Sequence, residues 1–119
     1  MTAVYLNRRA EFDLIVIEDY SIERWGEQVA AAYLEAFQSA FDLLQASPQL
    51  LRPRDEFADW LCFYRVERHW LICTILAGDI YVLAVRHGAM DLPARLAELE
   101  PSLMQEAEIL FRRTLDEKA

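Results

Sequence analysis

The spacing of hydrophobic positions in the first half of the chain changes from a short extended run to two long helical stripes. Residues 3–7 predict a first strand. Residues 8–25 and 27–47 then carry apolar side chains every three or four positions, which predicts two helices separated by Gly26. The predicted inward stripes are Ala10, Leu14, Ile17 and Tyr20 in the first helix, and Val29, Ala32, Tyr33, Ala36, Phe37, Ala40, Phe41 and Leu44 in the second. A one-residue break favours adjacent, antiparallel helices.

The pattern becomes strand-like over residues 60–88, which are rich in aromatic and β-branched side chains. A loop with two prolines connects this region to the second helix. Gly78-Asp79 predicts a two-residue hairpin turn, and Glu67-Arg68 predicts another at a compatible spacing. Residues 60–88 should therefore form three consecutive antiparallel strands.

The segment after the last strand is helical in composition and predicts a third helix, with Pro101 in its first turn. Its predicted inward stripe is Leu103, Ala107, Leu110, Phe111 and Thr114. The whole pattern predicts an α+β fold: an N-terminal strand and a helical hairpin packed on an antiparallel β-sheet (β-α-α-β-β-β), plus an extra C-terminal helix.

Two-residue turns would also determine which side chains lie opposite each other in the sheet. In the first hairpin Arg65 would face Trp70. In the second, Trp70 would face His87, and Leu71 would face Arg86. Arg65, Trp70 and His87 would then form one row across three strands, with Arg86 on the opposite face. The row is either a ligand-facing patch or a cation–π pair of Arg65 and Trp70 beside a histidine that caps a strand.

The two cysteines, Cys62 and Cys73, would also lie opposite each other in the first hairpin. They lack metal-ligand spacing, and no other metal or phosphate-binding pattern occurs in the sequence. We expect no cofactor and no metal. In a reducing compartment the two thiols should pack as small buried side chains, although a disulfide is geometrically open to them.

Composition narrows the class of protein. A chain of 119 residues with 55% hydrophobic residues should form a single domain with its own core. It has no apolar run of membrane-spanning length and no signal-peptide layout, so we expect a cytoplasmic protein that does not bind membranes. The net charge of −8 argues against direct contact with nucleic acid, because such contacts rely on a basic surface.

Four motifs in order give the sequence a family resemblance over about residues 4–93. RRA opens the first helix, DYSIERWG ends it, RPRDE follows the second helix, and VLAVRHGAMDLP covers the last strand and its exit. Together they resemble the ParE branch of the ParE/RelE toxins of bacterial toxin–antitoxin modules, also known as plasmid stabilisation proteins. We therefore expect a toxin domain over residues 1–93 and a helical extension over residues 94–119, packed on that domain. The sequence departs from the family at Cys73-Thr74, where many relatives carry an aromatic residue and an arginine.

The resemblance implies a function as well as a fold. Toxins similar to ParE are neutralised by a ParD-like antitoxin, with possible assembly as a homodimer or as a heterotetramer with the antitoxin. Once released they inhibit DNA gyrase by protein binding, without catalysis, and stop growth. Two alternatives stay open: a RelE-like ribosome-dependent mRNA endonuclease, or a non-toxic member that only binds its antitoxin.

Two groups of residues are candidates for these contacts. The antitoxin-binding groove is predicted at Phe12, Ile15, Val16 and Trp25, apolar positions off the core face of the first helix. Target or partner binding is predicted at Arg65, Trp70, Arg86, His87, Met90 and Asp91. The first helix could instead be buried on two sides, with the C-terminal helix as its second cover. That helix could also cover the free face of the sheet, contact the target or mediate a dimer.

Catalysis is the less favoured expectation for these residues. Metal-free RNA cleavage needs an acid, a base and cations that converge on one phosphate. Arg65, Arg86 and His87 are the sheet residues at a plausible place, and strand alternation separates Arg86 from His87. We predict no catalytic residues.

Overall fold

The computed structural model describes residues 2–88 and 92–118, with the side chains of 101–116 in the second range. The elements are β1 (Val4–Leu6), α1 (Arg8–Trp25), α2 (Glu27–Ala46), a 3-10 turn (Pro48–Leu50), β2 (Cys62–Val66), β3 (His69–Leu76), β4 (Asp79–His87) and α3 (Leu92–Lys118). This order confirms the predicted α+β fold with an extra C-terminal helix. In the described ranges no helix has the length and apolar character needed to cross a membrane.

The four strands form one sheet in the order β1-β4-β3-β2. The strands β2, β3 and β4 are antiparallel neighbours, as predicted for three consecutive strands. The first strand lies parallel to β4, with Val4 opposite Ile80 and Leu6 opposite Val82, so the sheet as a whole is mixed. The chain between β1 and its parallel neighbour β4 comprises both helices and the strands β2 and β3, which is the long connection that a parallel pair requires.

The helical hairpin covers one face of the sheet. Gly26 joins the helices with a positive φ of 91°, a conformation that favours glycine. The side chain of Asn7 caps α1 by accepting a hydrogen bond from the N–H of Ala10 at 2.8 Å. Three predicted inward positions are wrong, since Tyr20, Val29 and Ala32 are exposed. The buried positions next to Tyr20 and Val29 are Ser21 and Ala30, because the inward face moves by one residue wherever the buried positions are spaced by four and not by three.

The extra helix α3 packs on the other face of the sheet. Leu103 and Ala107 are buried there with Leu83, and the ring of Phe111 lies 6.2 Å from that of Tyr81. The predicted apolar stripe of this helix is therefore its sheet-facing side. Pro101 lies inside α3 and not in its first turn as predicted, since the helix already begins at Leu92. The helix continues through Pro101, although an interior proline removes one helical hydrogen bond and its ring crowds the carbonyl four residues earlier.

The turn between β3 and β4 differs from the predicted one. It is formed by Ala77 and Gly78, whose φ angles of 51° and 84° suit a tight turn with two positive-φ positions. Asp79 begins β4, where its side chain accepts a hydrogen bond from the N–H of Ala3 at 3.0 Å. A register shift between Ile72 and Cys73 then moves the pairing again. The second hairpin therefore has a register that the turn sequence alone did not predict.

Candidate functional site

An open groove of about 580 Å³ lies beside the Gly26 end of the helical hairpin. We call it the hairpin groove. The exposed part of its apolar lining consists of Val16, Tyr20, Trp25 and Val29, with Ile17 buried behind them, and its polar lining includes Arg24, Tyr33, Arg68, His69 and His87. The apolar side chains are about half exposed, with Trp25 at 51% and Val16 at 48%. Exposed aromatic and branched side chains in a concave surface are typical of a protein-binding site.

The predicted groove residues of α1 are all exposed. Val16 and Trp25 line the hairpin groove, whereas Phe12 and Ile15 are exposed elsewhere on the same helix, at 64% and 55%. Because α3 packs on the opposite face of the sheet, it does not cover these positions. The alternative of a first helix buried on two sides is therefore wrong.

The polar side of the groove is a hydrogen-bonded cluster. The hydroxyl of Tyr33 accepts a hydrogen bond from the N–H of Arg68 at 3.2 Å and lies 2.6 Å from Nδ1 of His69. The ring of His87 meets the ring of His69 edge to face, with 5.0 Å between their centroids. A phenol that accepts from Arg68 can donate its own proton to Nδ1, and this arrangement corresponds to the tautomer of His69 that carries its proton on Nε2.

Burial lowers the pKa of His69 from 6.5 to about 4, with further lowering from the nearby charges of His87 and Arg65. His69 is therefore neutral at pH 7. The charged side chains that line the groove within the described chain are Arg24 and Arg68, both cationic. The groove thus combines an apolar wall with a positive rim.

A second surface lies on the other face of the sheet, around Trp70. The guanidinium carbon of Arg54 lies 5.0 Å from the centroid of the Trp70 ring, and that of Arg65 lies 5.2 Å from it. With Arg52 these side chains line an open cleft of about 510 Å³. We call Arg52, Arg54, Arg65 and Trp70 the arginine–tryptophan patch. The predicted cation–π pair of Arg65 and Trp70 is confirmed.

Gly88 provides the space in which the guanidinium of Arg65 lies. A Cβ atom added at this glycine would come within 2.5 Å of Nη1 of Arg65, and the N–H of Gly88 is itself tied to the carbonyl of Arg68 at 2.8 Å. This contact gives the glycine of the RHG sequence a steric role in positioning Arg65. Sequence reasoning missed it because the contact joins the end of β4 to an exposed side chain of β2.

The predicted row of Arg65, Trp70 and His87 is wrong. The first hairpin has the predicted register, with Arg65 opposite Trp70. In the second hairpin Trp70 pairs with Arg86, and His87 pairs with His69. His87 therefore faces the hairpin groove, and Arg86 does not lie beside Leu71 as predicted. The cause is the combination of the Ala77-Gly78 turn and the register shift within the β3–β4 pair.

Arg86 forms an internal ion pair and is not an open contact residue. Its guanidinium binds the carboxylate of Asp13, and the two side chains are only 18% and 13% exposed. The same carboxylate accepts the N–H of Val85 at 2.9 Å. Asp13 thereby provides a hydrogen-bond acceptor for the part of the β4 edge that β1 does not cover. Nothing in the local pattern of α1 distinguished Asp13 from a solvated acidic residue, so this role was not predicted.

The remaining predicted positions have simpler outcomes. Met90 and Asp91 lie outside the described residues.

Cys62 and Cys73 lie opposite each other as predicted and are free thiols, with the Cys62 thiol donating to the carbonyl of Cys73 at 3.4 Å. Burial raises the pKa of Cys62 to about 11, so both cysteines pack as neutral thiols. Among the described side chains, no three His, Cys, Asp or Glu residues are placed to hold a metal ion.

Comparison with known proteins identifies the family to which this chain belongs. A family model described as the ParE toxin of the type II toxin–antitoxin system parDE matches residues 4–92. The structure resembles that of a chromosomal ParDE TA system from P. aeruginosa, with a TM-score of 0.64 and 17% identity over 73% of this chain and 96% of that chain. A RelBE2 toxin–antitoxin complex from Mycobacterium tuberculosis gives a TM-score of 0.48 and 20% identity over 72% and 96%. No curated protein matches the sequence. The family match ends where α3 begins.

Proposed function

This chain belongs to the ParE toxin family of type II toxin–antitoxin systems, and we propose that a ParD-like antitoxin neutralises it in the cytoplasm by binding the hairpin groove. Released from that antitoxin, it inhibits DNA gyrase through protein contacts. Toxins of the ParE type act by binding and not by catalysis, so the family makes this chain a binding protein.

The observation that carries the antitoxin proposal is the exposed apolar wall of the groove. Tyr20 and Trp25 meet edge to face, with 5.8 Å between their ring centroids, and form a large aromatic rim. An amphipathic helix of a partner could bury its apolar side against this rim and Val16, and place carboxylates near Arg24 and Arg68. Aromatic anchors of this kind provide most of the binding free energy in many interfaces.

The positions of the candidate cations also support binding over RNA cleavage. Arg65 and His87 lie on opposite faces of the sheet, and Arg86 is held by Asp13. His69 is neutral at pH 7 and its Nδ1 is engaged by Tyr33. Arg65, Arg86 and His87 therefore do not converge on one phosphate, although acid–base cleavage needs its acid, base and cation at one place.

We retain only part of the residue set that the sequence proposed for target binding. Arg65 is exposed and Trp70 is half buried on the sheet face away from the groove, so they remain the best candidates for contact with gyrase. His87 is reassigned to the groove. Met90 and Asp91 stay predictions of the sequence.

The test compares gyrase activity with and without antitoxin. The antitoxin is the product of the short reading frame expected directly upstream of the toxin. We expect the purified toxin to inhibit supercoiling of relaxed plasmid by gyrase and the antitoxin to restore it, while ribosome-bound messages stay intact. Messages cut in the ribosomal A site, with supercoiling unaffected, would identify an endonuclease instead. Normal growth during expression without antitoxin would identify a non-toxic member.

A further inference from the structure

The arginine–tryptophan patch concentrates positive charge on a chain whose net charge is −8. Arg52, Arg54 and Arg65 all line its cleft. Among the described residues, Glu56 is the carboxylate that pairs with this group, through Arg54 at 2.8 Å. Nε of Arg65 donates to the backbone carbonyl of Glu67 at 2.8 Å, which orients the guanidinium without neutralising it. The cleft therefore has an excess of cations that suits an anionic ligand.

The patch also lies at an edge of the sheet, because β2 is the last strand in the order. Arg52 already forms a short antiparallel bridge with this edge, through two hydrogen bonds to Phe63 at 3.1 and 2.8 Å. Backbone groups two residues apart point to the same side of a strand. The N–H and C=O of Arg65 therefore point to the same edge as those of Phe63.

Within the described residues, the backbone N–H and C=O of Arg65 form no backbone hydrogen bond with the chain next to Arg52. Before Arg52 the backbone is in a 3-10 turn, where Leu50 and Leu51 donate to the carbonyls of Ser47 and Pro48. These groups are engaged within the turn. An incoming strand could therefore hydrogen-bond to Arg65, directly beside three guanidinium groups.

The chemistry of the cleft favours a peptide over a nucleic acid. A nucleic acid strand would need an aromatic face for base stacking. Here the guanidiniums of Arg54 and Arg65 already lie over the Trp70 ring. The negative charge of the rest of the chain would also repel a polyanion. A short acidic peptide needs no ring for base stacking, carries a charge on alternate residues only, and can use the backbone groups of the edge.

We propose that the arginine–tryptophan patch is a peptide-binding site that takes an extended, acidic segment of a partner protein. Its carboxylates pair with Arg52 and Arg65, and its backbone adds to the edge of β2 at Arg65. The patch contains Arg65 and Trp70, the residues proposed above for contact with gyrase. The binding of an acidic peptide there goes beyond that proposal, because it requires neither gyrase as the target nor antitoxin in the groove.

The test measures fluorescence anisotropy of a labelled octapeptide, Glu-Val-Glu-Thr-Glu-Val-Glu-Thr, with the full-length chain. We expect saturable binding that weakens as salt is raised, since exposed ion pairs contribute to it. The peptide with Lys in place of Glu should not bind, and a version with N-methylated alternate amides should bind at least fivefold more weakly. Equal binding of the lysine peptide would overturn the site, and equal binding of the methylated peptide would overturn the strand addition.

Variants locate the binding on the patch. Arg65→Ala and Arg52→Ala should each weaken binding of the acidic octapeptide about fivefold or more, because each removes a charged contact. Arg112→Ala is the matched control, since Arg112 is an exposed arginine of α3 on no proposed surface. Circular dichroism checks that all three variants fold. Equal binding by the three variants, or binding of an oligo-thymidine octamer in place of the peptide, would overturn the proposal.

Discussion

The hairpin groove and the arginine–tryptophan patch lie on opposite faces of one sheet, and neighbouring residues of β3 contribute to both. His69 points into the groove, where Tyr33 holds its ring, and Trp70 points into the patch, where Arg54 and Arg65 lie over it. The groove has an exposed apolar wall, whereas three of the four side chains of the patch are charged. Strand alternation is thus sufficient to give one hairpin two surfaces of different chemistry.

This difference predicts how each surface binds. Burial of apolar surface contributes roughly 25 cal/mol per Å² and depends little on salt. Exposed ion pairs contribute about 0–1 kcal/mol each and are screened by salt. The groove should therefore provide tight binding of an antitoxin. The patch should provide weaker, salt-sensitive binding that selects for charge.

The largest effect is expected at a residue that belongs to neither surface. Asp13→Ala removes the carboxylate that binds both the guanidinium of Arg86 and the N–H of Val85, and leaves Arg86 only its hydrogen bond to the carbonyl of Val85. Loss of one member of a largely buried pair should lower the free energy of unfolding by about 3 kcal/mol, measured by urea denaturation. Glu18→Ala, at an exposed position of the same helix, is the control and should change stability by less than about 0.5 kcal/mol. Similar values for the two variants would return Arg86 to the list of partner-binding candidates.

The next effect separates the groove from the patch. Trp25→Ala should weaken antitoxin binding about 30-fold, or about 2 kcal/mol, because a half-exposed indole is a typical anchor of such a groove. Isothermal titration calorimetry measures the affinity. Leu115→Ala removes an equally exposed apolar side chain from α3 and should leave the affinity unchanged. If Trp25→Ala instead weakened binding of the acidic octapeptide, the two surfaces would not be independent.

A smaller effect should follow from a change that removes no charge. Gly88→Ala places a Cβ within 2.5 Å of Nη1 of Arg65, and the flexible guanidinium should move away from Trp70. We expect binding of the acidic octapeptide to weaken about two- to fivefold, with antitoxin binding unchanged and stability lowered by less than about 1 kcal/mol. In an Arg65→Ala background the same change should have no further effect. Additive losses would show that Gly88 does not act through Arg65.

The smallest effect concerns pH and the groove alone. Because the pKa of His69 is lowered from 6.5 to about 4 in the folded protein, the unfolded chain binds the proton more readily between these values. The stability that neutral His69 contributes is present above about pH 6.5 and is lost as the pH falls towards 4. Solvent screening should keep this loss under about 1 kcal/mol. The wild type should therefore lose more stability than His69→Gln between pH 7 and 4.5 in urea denaturation. An equal loss of stability in the two proteins over this pH range would contradict the lowered pKa of His69.

Much of the fold was predictable because its signals are local. The range of α1 and the break at Gly26 follow from apolar spacing and one glycine, and the pairing of Arg65 with Trp70 follows from a two-residue turn. The second hairpin was mispaired because Gly78 lies in the second position of its turn, preceded by Ala77. Moving this turn by one residue shifts the pairing by two residues, which keeps the predicted faces. The register shift between Ile72 and Cys73 then moves the pairing back by one residue and exchanges the faces assigned to Arg86 and His87.

By itself, the sequence determined the elements, the family and the presence of apolar side chains beyond those that the core needs. The tertiary structure decided which of those side chains remain exposed and which charged groups are internal. Asp13 and Arg86 are 73 positions apart, and α3 covers the sheet face away from the groove. Periodicity reports the neighbours of a residue along the chain, whereas exposure and ion pairing depend on elements that meet only after folding.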